Sequence, residues 1–221
     1  MHKRRAMNEE RKYRSARQPR HRVRMAGAIV VVLGLLGGCV TGGLFGPDYA
    51  AILENSAGYT ERVHHPNLDF GYQEADDPRL VRLRETYDLE TIAGSGADRE
   101  RIIRLMEWVF ERVPHDGRSS PPAWNTFDIV RYHEQTGRGV NCRKLAIALT
   151  EVYLSMGYRA RYVTCKPQPT EFSDCHVVSV VWAPDEERWM MMDPSFRAYV
   201  TDATGAILGV EEFREALRTG A

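Results

Sequence analysis

The sequence predicts an α+β fold in which helices come first and an antiparallel sheet follows. Three observations support this. Apolar residues recur at helical spacing over 97–113 and again over 142–156. Three segments rich in β-branched and aromatic residues follow, at 158–165, 175–182 and 188–193. The run Pro184-Asp185-Glu186-Glu187 reads as a tight turn between the last two. With 221 residues, 43% of them hydrophobic, the chain holds one good-sized domain or at most two small ones. A charged fraction of 27% excludes a wholly disordered chain, and a single strongly apolar stretch excludes a polytopic membrane protein.

The formal net charge of zero hides an asymmetry. Residues 1–24 carry ten Lys or Arg against Glu9 and Glu10, and removing them leaves 20 basic and 28 acidic residues, a net of about −8. An acidic body argues against a nucleic-acid binder. The basic end is instead followed by an apolar run from Met25 that ends in Leu36-Gly37-Gly38-Cys39. A basic segment, about a dozen apolar residues and then small residues make a secretory signal. Its last four residues resemble the lipobox of bacterial lipoproteins, which implies lipid attachment at Cys39 and retention at the extracytoplasmic face of a bacterial cell membrane. The competing view is an uncleaved anchor over Met25–Phe45, although five glycines between Gly34 and Gly43 make a poor helix. Either way the domain faces outward. The organisation expected is a basic region and signal peptide over 1–38, a lipid-anchored tether over 39–48, an N-terminal extension over 49–96 and the core domain over 97–221.

Within the extension the pattern is weak. His64 and His65 precede Pro66 in a turn and read as surface residues, and Leu80–Leu89 suits either a strand or a helix. From Ala97, Ile102, Leu105, Val109 and Val113 form one helical stripe, with Asp98 and Glu100 favourably placed in the first turn and Pro114 ending it. A loop through Ser119-Ser120-Pro121-Pro122 leads to a short helix over 124–132, capped by Asn125 or Thr126. The next helix begins at Cys142 and runs to about Met156, burying Leu145, Leu149, Val152 and Met156, with Gly157 at its end. After the three strands, Glu211–Leu217 suggests a final helix.

Cys142 stands at a helix N-terminus, where free backbone N–H groups and the helix dipole stabilise a thiolate. A small buried cysteine is also ordinary in a core. His176 shares a strand face with Val178, Val180 and Trp182, where the plain expectation is a satisfied core histidine. Asp193 shares a face with Trp189 and Met191, and a carboxylate there needs a partner. The turn supplies it. If Ala183 pairs with Arg188, each facing pair of residue numbers sums to 371, which sets Asp193 opposite Val178 and diagonal to His176. If this face packs on the Cys142 helix, thiol, imidazole and carboxylate converge as the triad of a cysteine nucleophile.

The runs Gly139-Val-Asn-Cys142-Arg, Gly157-Tyr-Arg-Ala-Arg, Asp174-Cys-His176-Val-Val and Met191-Met-Asp193-Pro-Ser-Phe, with Glu107-Trp108-Val109 and Val113-Pro114-His115-Asp116-Gly117 upstream, resemble the transglutaminase-like superfamily of papain-fold cysteine enzymes over roughly residues 85–215. The resemblance implies a papain-like/transglutaminase-like core with the nucleophile at a helix N-terminus packed on an antiparallel sheet. It implies Cys142 as nucleophile, His176 as general base and acid, and Asp193 as its orienting carboxylate, acting on amide bonds in extracytoplasmic protein or cell-wall peptide through a thioester. Hydrolysis is favoured over transamidation, because the chain lacks room for the accessory domains of calcium-dependent transglutaminases and shows no calcium loop. The backbone N–H of Cys142 is one expected oxyanion donor; Asn125 and Trp124 are candidates for the second, with capping as Asn125's alternative role. His115 and Asp116 are expected to shape their loop. Cys165 and Cys175 leave two options open, a disulfide or two free thiols. Neither metal nor cofactor is implied, and the expected partners are a protein or peptide substrate and, through the lipid anchor, the membrane. Oligomeric state stays open. The alternative function is a non-catalytic surface lipoprotein that uses the same fold for binding or scaffolding.

Overall fold

A computed structural model of the chain describes residues 71–166 and 175–219, together with Ala51 and Leu53. The signal peptide expected over 1–38, Cys39, the tether expected over 39–48 and the His64–His65 pair lie outside the described residues. Among the described residues no helix is long and apolar enough to cross a membrane.

The elements described run in the order α1 (Pro78–Thr86), α2 (Leu89–Ala93), α3 (Asp98–Arg112), α4 (Thr126–Thr136), α5 (Cys142–Ser155), β1 (Ala160–Cys165), β2 (His176–Ala183), β3 (Arg188–Met192) and α6 (Val210–Thr219). The ambiguous 80–89 stretch is helical. Asp77 caps α1 by accepting the Arg79 N–H at 2.9 Å, Pro78 takes the first helical position, and the stretch breaks at Asp88, which adopts a left-handed φ of 50°. Leu83, Leu89 and Ala93 join the same core as α3 and α5, so the N-terminal extension and the core domain share one hydrophobic interior. The short helix expected over 124–132 runs on to Thr136, because Gly137 with φ of 68° is the first residue able to end it with a left-handed cap.

Helix α5 is the centre of the molecule. Eleven of its fourteen residues are buried, which a helix achieves only when it is covered on several sides. The sheet, ordered β1-β2-β3, covers one side, while α1, α3 and α4 lie against others. Polar pins hold these layers. The Ser179 hydroxyl donates to the Ala146 carbonyl at 3.0 Å and lies 3.3 Å from the Thr150 hydroxyl. The buried Tyr153 donates from its hydroxyl to the Ile102 carbonyl at 3.0 Å, fastening α5 to α3. Glu151 accepts from the Thr126 N–H at 2.6 Å and the Thr126 hydroxyl at 2.7 Å, and pairs with Arg79 at 3.2 Å, so one nearly buried carboxylate ties α4 and α1 to α5.

The β2–β3 register pairs Ala183 with Arg188 and Ser179 with Met192, the 371 sum read from the turn. Strand β1 pairs antiparallel to β2 from Ala160–Val181 to Cys165–His176.

Candidate active site

Topology decides which end of the sheet meets which end of α5. The helix leads through residues 156–159 directly into β1, whose first residue Ala160 faces Val181, and the Trp182 N–H donates to the Arg159 carbonyl at 2.9 Å. The C-terminal ends of α5 and β2 therefore lie together. The helix packs along the strand through Ala146 and Ser179, so its N-terminus, with Cys142, lies toward the end of β2 that begins with His176.

The start of α5 is held by backbone. Val140 donates its N–H to the Pro114 carbonyl at 3.0 Å, Asp116 donates to the Val140 carbonyl at 2.8 Å, and Asn141 donates to the Ser119 carbonyl at 2.7 Å. The approach is so close that a Cβ on Gly139 would stand 2.4 Å from the Pro114 carbonyl oxygen. Only glycine fits there. Asn141 caps the helix, its side chain accepting the Lys144 N–H at 3.1 Å. Cys142 is then the first helical residue, half-buried and a free thiol, and helix geometry leaves its own N–H without an intrahelical acceptor.

His176 and Asp193 meet as expected from the hairpin. Nε2 of the ring lies 2.7 Å from Asp193 Oδ2, with side-chain exposures of 36% and 13%. The second oxygen, Oδ1, accepts the Ser195 N–H at 2.8 Å, so both oxygens of the carboxylate are engaged. Asp193 lies just past β3 and opens a tight loop closed by paired backbone bonds with Ala198 (2.8 and 3.1 Å). Arg197, with a left-handed φ of 52°, fastens that loop to α3 through Glu107, which its Nε reaches at 3.0 Å. With Nε2 engaged by Asp193, Nδ1 is the ring nitrogen left to serve a thiol.

Two further side chains flank this pair. Phe196, 63% exposed, lies with its ring centroid 5.5 Å from His176 and 5.6 Å from His115. Sequence reasoning assigned His115 only a loop-shaping role and passed over Phe196. An aromatic residue three positions after a candidate carboxylate was the signal available. Cys165 faces His176 directly across the β1–β2 pair, and facing residues share one side of a sheet. Its thiol is pushed up by burial and, to a lesser degree, by the charge of Asp193.

That register corrects the disulfide option for Cys165 and Cys175. Cys175 precedes His176, and successive residues of an extended chain point to opposite sides, which turns it away from Cys165. Both are free thiols, Cys165 half-buried and Cys175 exposed. Asn125 is also removed from the oxyanion candidates. Its Oδ1 accepts the Asp128 N–H at 3.0 Å and its Nδ2 donates to Asp128 Oδ2 at 2.7 Å, so both polar ends serve the cap of α4. Trp124 remains, 63% exposed, its ring lying over the Lys144 ammonium. Among the described residues no three His, Cys, Asp or Glu side chains gather in a manner suited to a metal ion.

Residues 85–194 match the family model described as the transglutaminase-like superfamily. Among solved structures, one from Cytophaga hutchinsonii, of a protein described as a candidate cysteine protease, is similar at 16% identity and a TM-score of 0.43 over 69% of this chain. The match takes in 50% of that protein, so this chain spans about half its length. No curated protein matches the chain.

Proposed function

We propose, from the premise that residues 85–194 belong to the transglutaminase-like superfamily, that this protein is an extracytoplasmic, lipid-anchored cysteine enzyme that hydrolyses amide bonds in protein or cell-wall peptide. The observation that carries this reading is the 2.7 Å His176–Asp193 pair at the end of the sheet toward which the N-terminus of the Cys142 helix points. The superfamily match supports it from an independent direction.

In this mechanism His176 Nδ1 takes the proton of Cys142, and the thiolate attacks the amide carbonyl. The negative charge formed on the carbonyl oxygen is met by the free N–H of Cys142 at the positive end of α5. Trp124 is the remaining candidate for the second donor. The imidazolium then protonates the leaving amine, a thioester forms, and water activated by the same nitrogen releases the acid. An amine in place of water would give transamidation. Asp193 positions the ring and stabilises its charged form through Nε2. A lipid on Cys39 would hold this chemistry at the membrane surface.

The test is the rate at which iodoacetamide alkylates Cys142 at pH 6, read by mass spectrometry on the Cys142 peptide, with His176→Ala alongside. An imidazole that holds the thiol's proton makes the unmodified protein faster by about tenfold or more. Equal rates in two folded proteins would refute the reading and favour a binding lipoprotein.

A further inference from the structure

Phe196 is 63% exposed, yet the loop that carries it is tightly held. Pro194 and Ser195 before it are buried, and the Ser195 N–H donates to Asp193 Oδ1 at 2.8 Å. Paired backbone bonds between Asp193 and Ala198 lock the two ends of the loop. Arg197, the next residue, holds a left-handed φ of 52°, which a non-glycine residue adopts only at a cost. Its guanidinium is paired with Glu107 and Glu111 of α3. Anchors on both sides thus fix where the Phe196 ring stands.

Two imidazoles define that place. The ring centroid lies 5.5 Å from His176, with the planes 34° apart, and 5.6 Å from His115, which it meets edge to face at 64°. His115 is bridged to Val140, two residues before Cys142. The ring therefore stands where the segment leading into Cys142 meets the His176–Asp193 pair. A lone exposed apolar side chain needs no explanation. A ring held in advance against the imidazole that moves the proton is another matter. In the proposed mechanism His176 protonates the departing amine, so the part of the substrate bonded to that nitrogen is carried past the His176 ring. Aromatic and large aliphatic groups gain from packing on a fixed aromatic surface, because little entropy is lost in ordering it.

We propose that Phe196 determines specificity on the leaving-group side, so that the substrate residue supplying the departing amine carries an aromatic or large aliphatic side chain. This rests on Cys142 and His176 acting as proposed, and the experiment separates the two claims. It uses the fact that an amine attacking the thioester enters by the route the leaving amine takes out. Full-length protein is given p-nitrophenyl acetate; the Cys142 thiolate attacks the ester carbonyl, a C–S bond forms and p-nitrophenolate leaves. Phenylalaninamide and glycinamide at equal concentration then compete for the acetyl group. The amine nitrogen bonds to the carbonyl carbon, the C–S bond breaks, and His176 passes the amine's proton to the sulfur. The ratio of the two N-acetyl amides, after subtraction of the yield with Cys142→Ala, does not depend on how fast Cys142 is acylated. In the unmodified protein this ratio exceeds that of the uncatalysed reaction by about fivefold, the factor that one aromatic contact supplies. Phe196→Ala returns it to the uncatalysed value, and Phe196→Trp keeps it. Phe196→Asn serves if the alanine variant does not fold. No preference in the unmodified protein, or a preference unchanged in folded Phe196→Ala, overturns the role of Phe196 while leaving Cys142 the nucleophile. Amide formation no faster than with Cys142→Ala overturns the catalytic reading itself.

Discussion

Replacing Asp193 by Asn tests the proposed site most sharply, because the structure specifies what changes. Asn is nearly isosteric, and its carbonyl oxygen can keep the Ser195 N–H bond now made at 2.8 Å. Its amide then faces His176 Nε2, at the position where Asp193 Oδ2 stands 2.7 Å away. An amide N–H there requires Nε2 to accept, so the ring proton moves to Nδ1, and the nitrogen meant to receive the thiol proton is blocked. The charge-assisted bond lost is worth about 1.5–3 kcal/mol, and at 1.4 kcal/mol per tenfold that is roughly a 10- to 150-fold slower reaction. The half-exposed ring places the expectation in the lower part of this range, since water screens part of the effect. The assay is iodoacetamide modification of Cys142 at neutral pH, with circular dichroism to confirm an unchanged fold. A double-mutant cycle adds a second check. In a His176→Ala background the Asp193→Asn change should have almost no effect, because the carboxylate acts only through the ring. A rate within about twofold of the unmodified protein in folded Asp193→Asn, or additive effects in the cycle, would refute the proposed coupling.

Other consequences are measurable with the same protein. Cys165, whose thiol is pushed up by burial and by Asp193, should be alkylated more slowly than an exposed cysteine at neutral pH and gain rate as pH rises; modification at pH 7 as fast as that of the exposed Cys175 would contradict this. Intact mass after non-reducing purification should show Cys165 and Cys175 both alkylatable, and a stable bond between them would overturn the register that separates them. Glu151→Ala leaves the Thr126 N–H and hydroxyl buried without their acceptor and should destabilise the fold by about 2–4 kcal/mol in urea unfolding. Gly139→Ala drives a methyl group into the Pro114 carbonyl and should cost about 1–3 kcal/mol while slowing Cys142 alkylation, since the same contact holds the start of α5.

Much of this molecule was legible in its sequence, and the reason is locality. The apolar stripe of α3, the start of α5 at Cys142 and the Gly157 after it are signals carried within a few residues of the structure they produce. The β2–β3 register was equally readable, because a four-residue turn leaves the two strands little freedom, and the His176–Asp193 contact follows from that register. Nothing comparable restrains β1 against β2. Nine residues separate Cys165 from Cys175, too many for turn geometry to set the pairing, so only the assembled sheet decided that Cys165 faces His176.

The same limit applies to the other features found only in three dimensions. The 80–89 stretch gives no clear period, and packing of Leu83 and Leu89 into the core of α3 and α5 made it two helices. Asn125 has a chemistry suited to either capping or an oxyanion site, and its contacts with Asp128 resolved the choice. Lys144 is a buried cation in the first turn of a helix, and its ammonium lies under the ring of Trp124, twenty residues earlier in the chain. Propensity, periodicity and tight turns act between near neighbours, so the sequence alone determines the elements, their caps and the hairpin. Which distant side chains cover, charge or face one another depends on how those elements close around α5, and only the tertiary structure decided that.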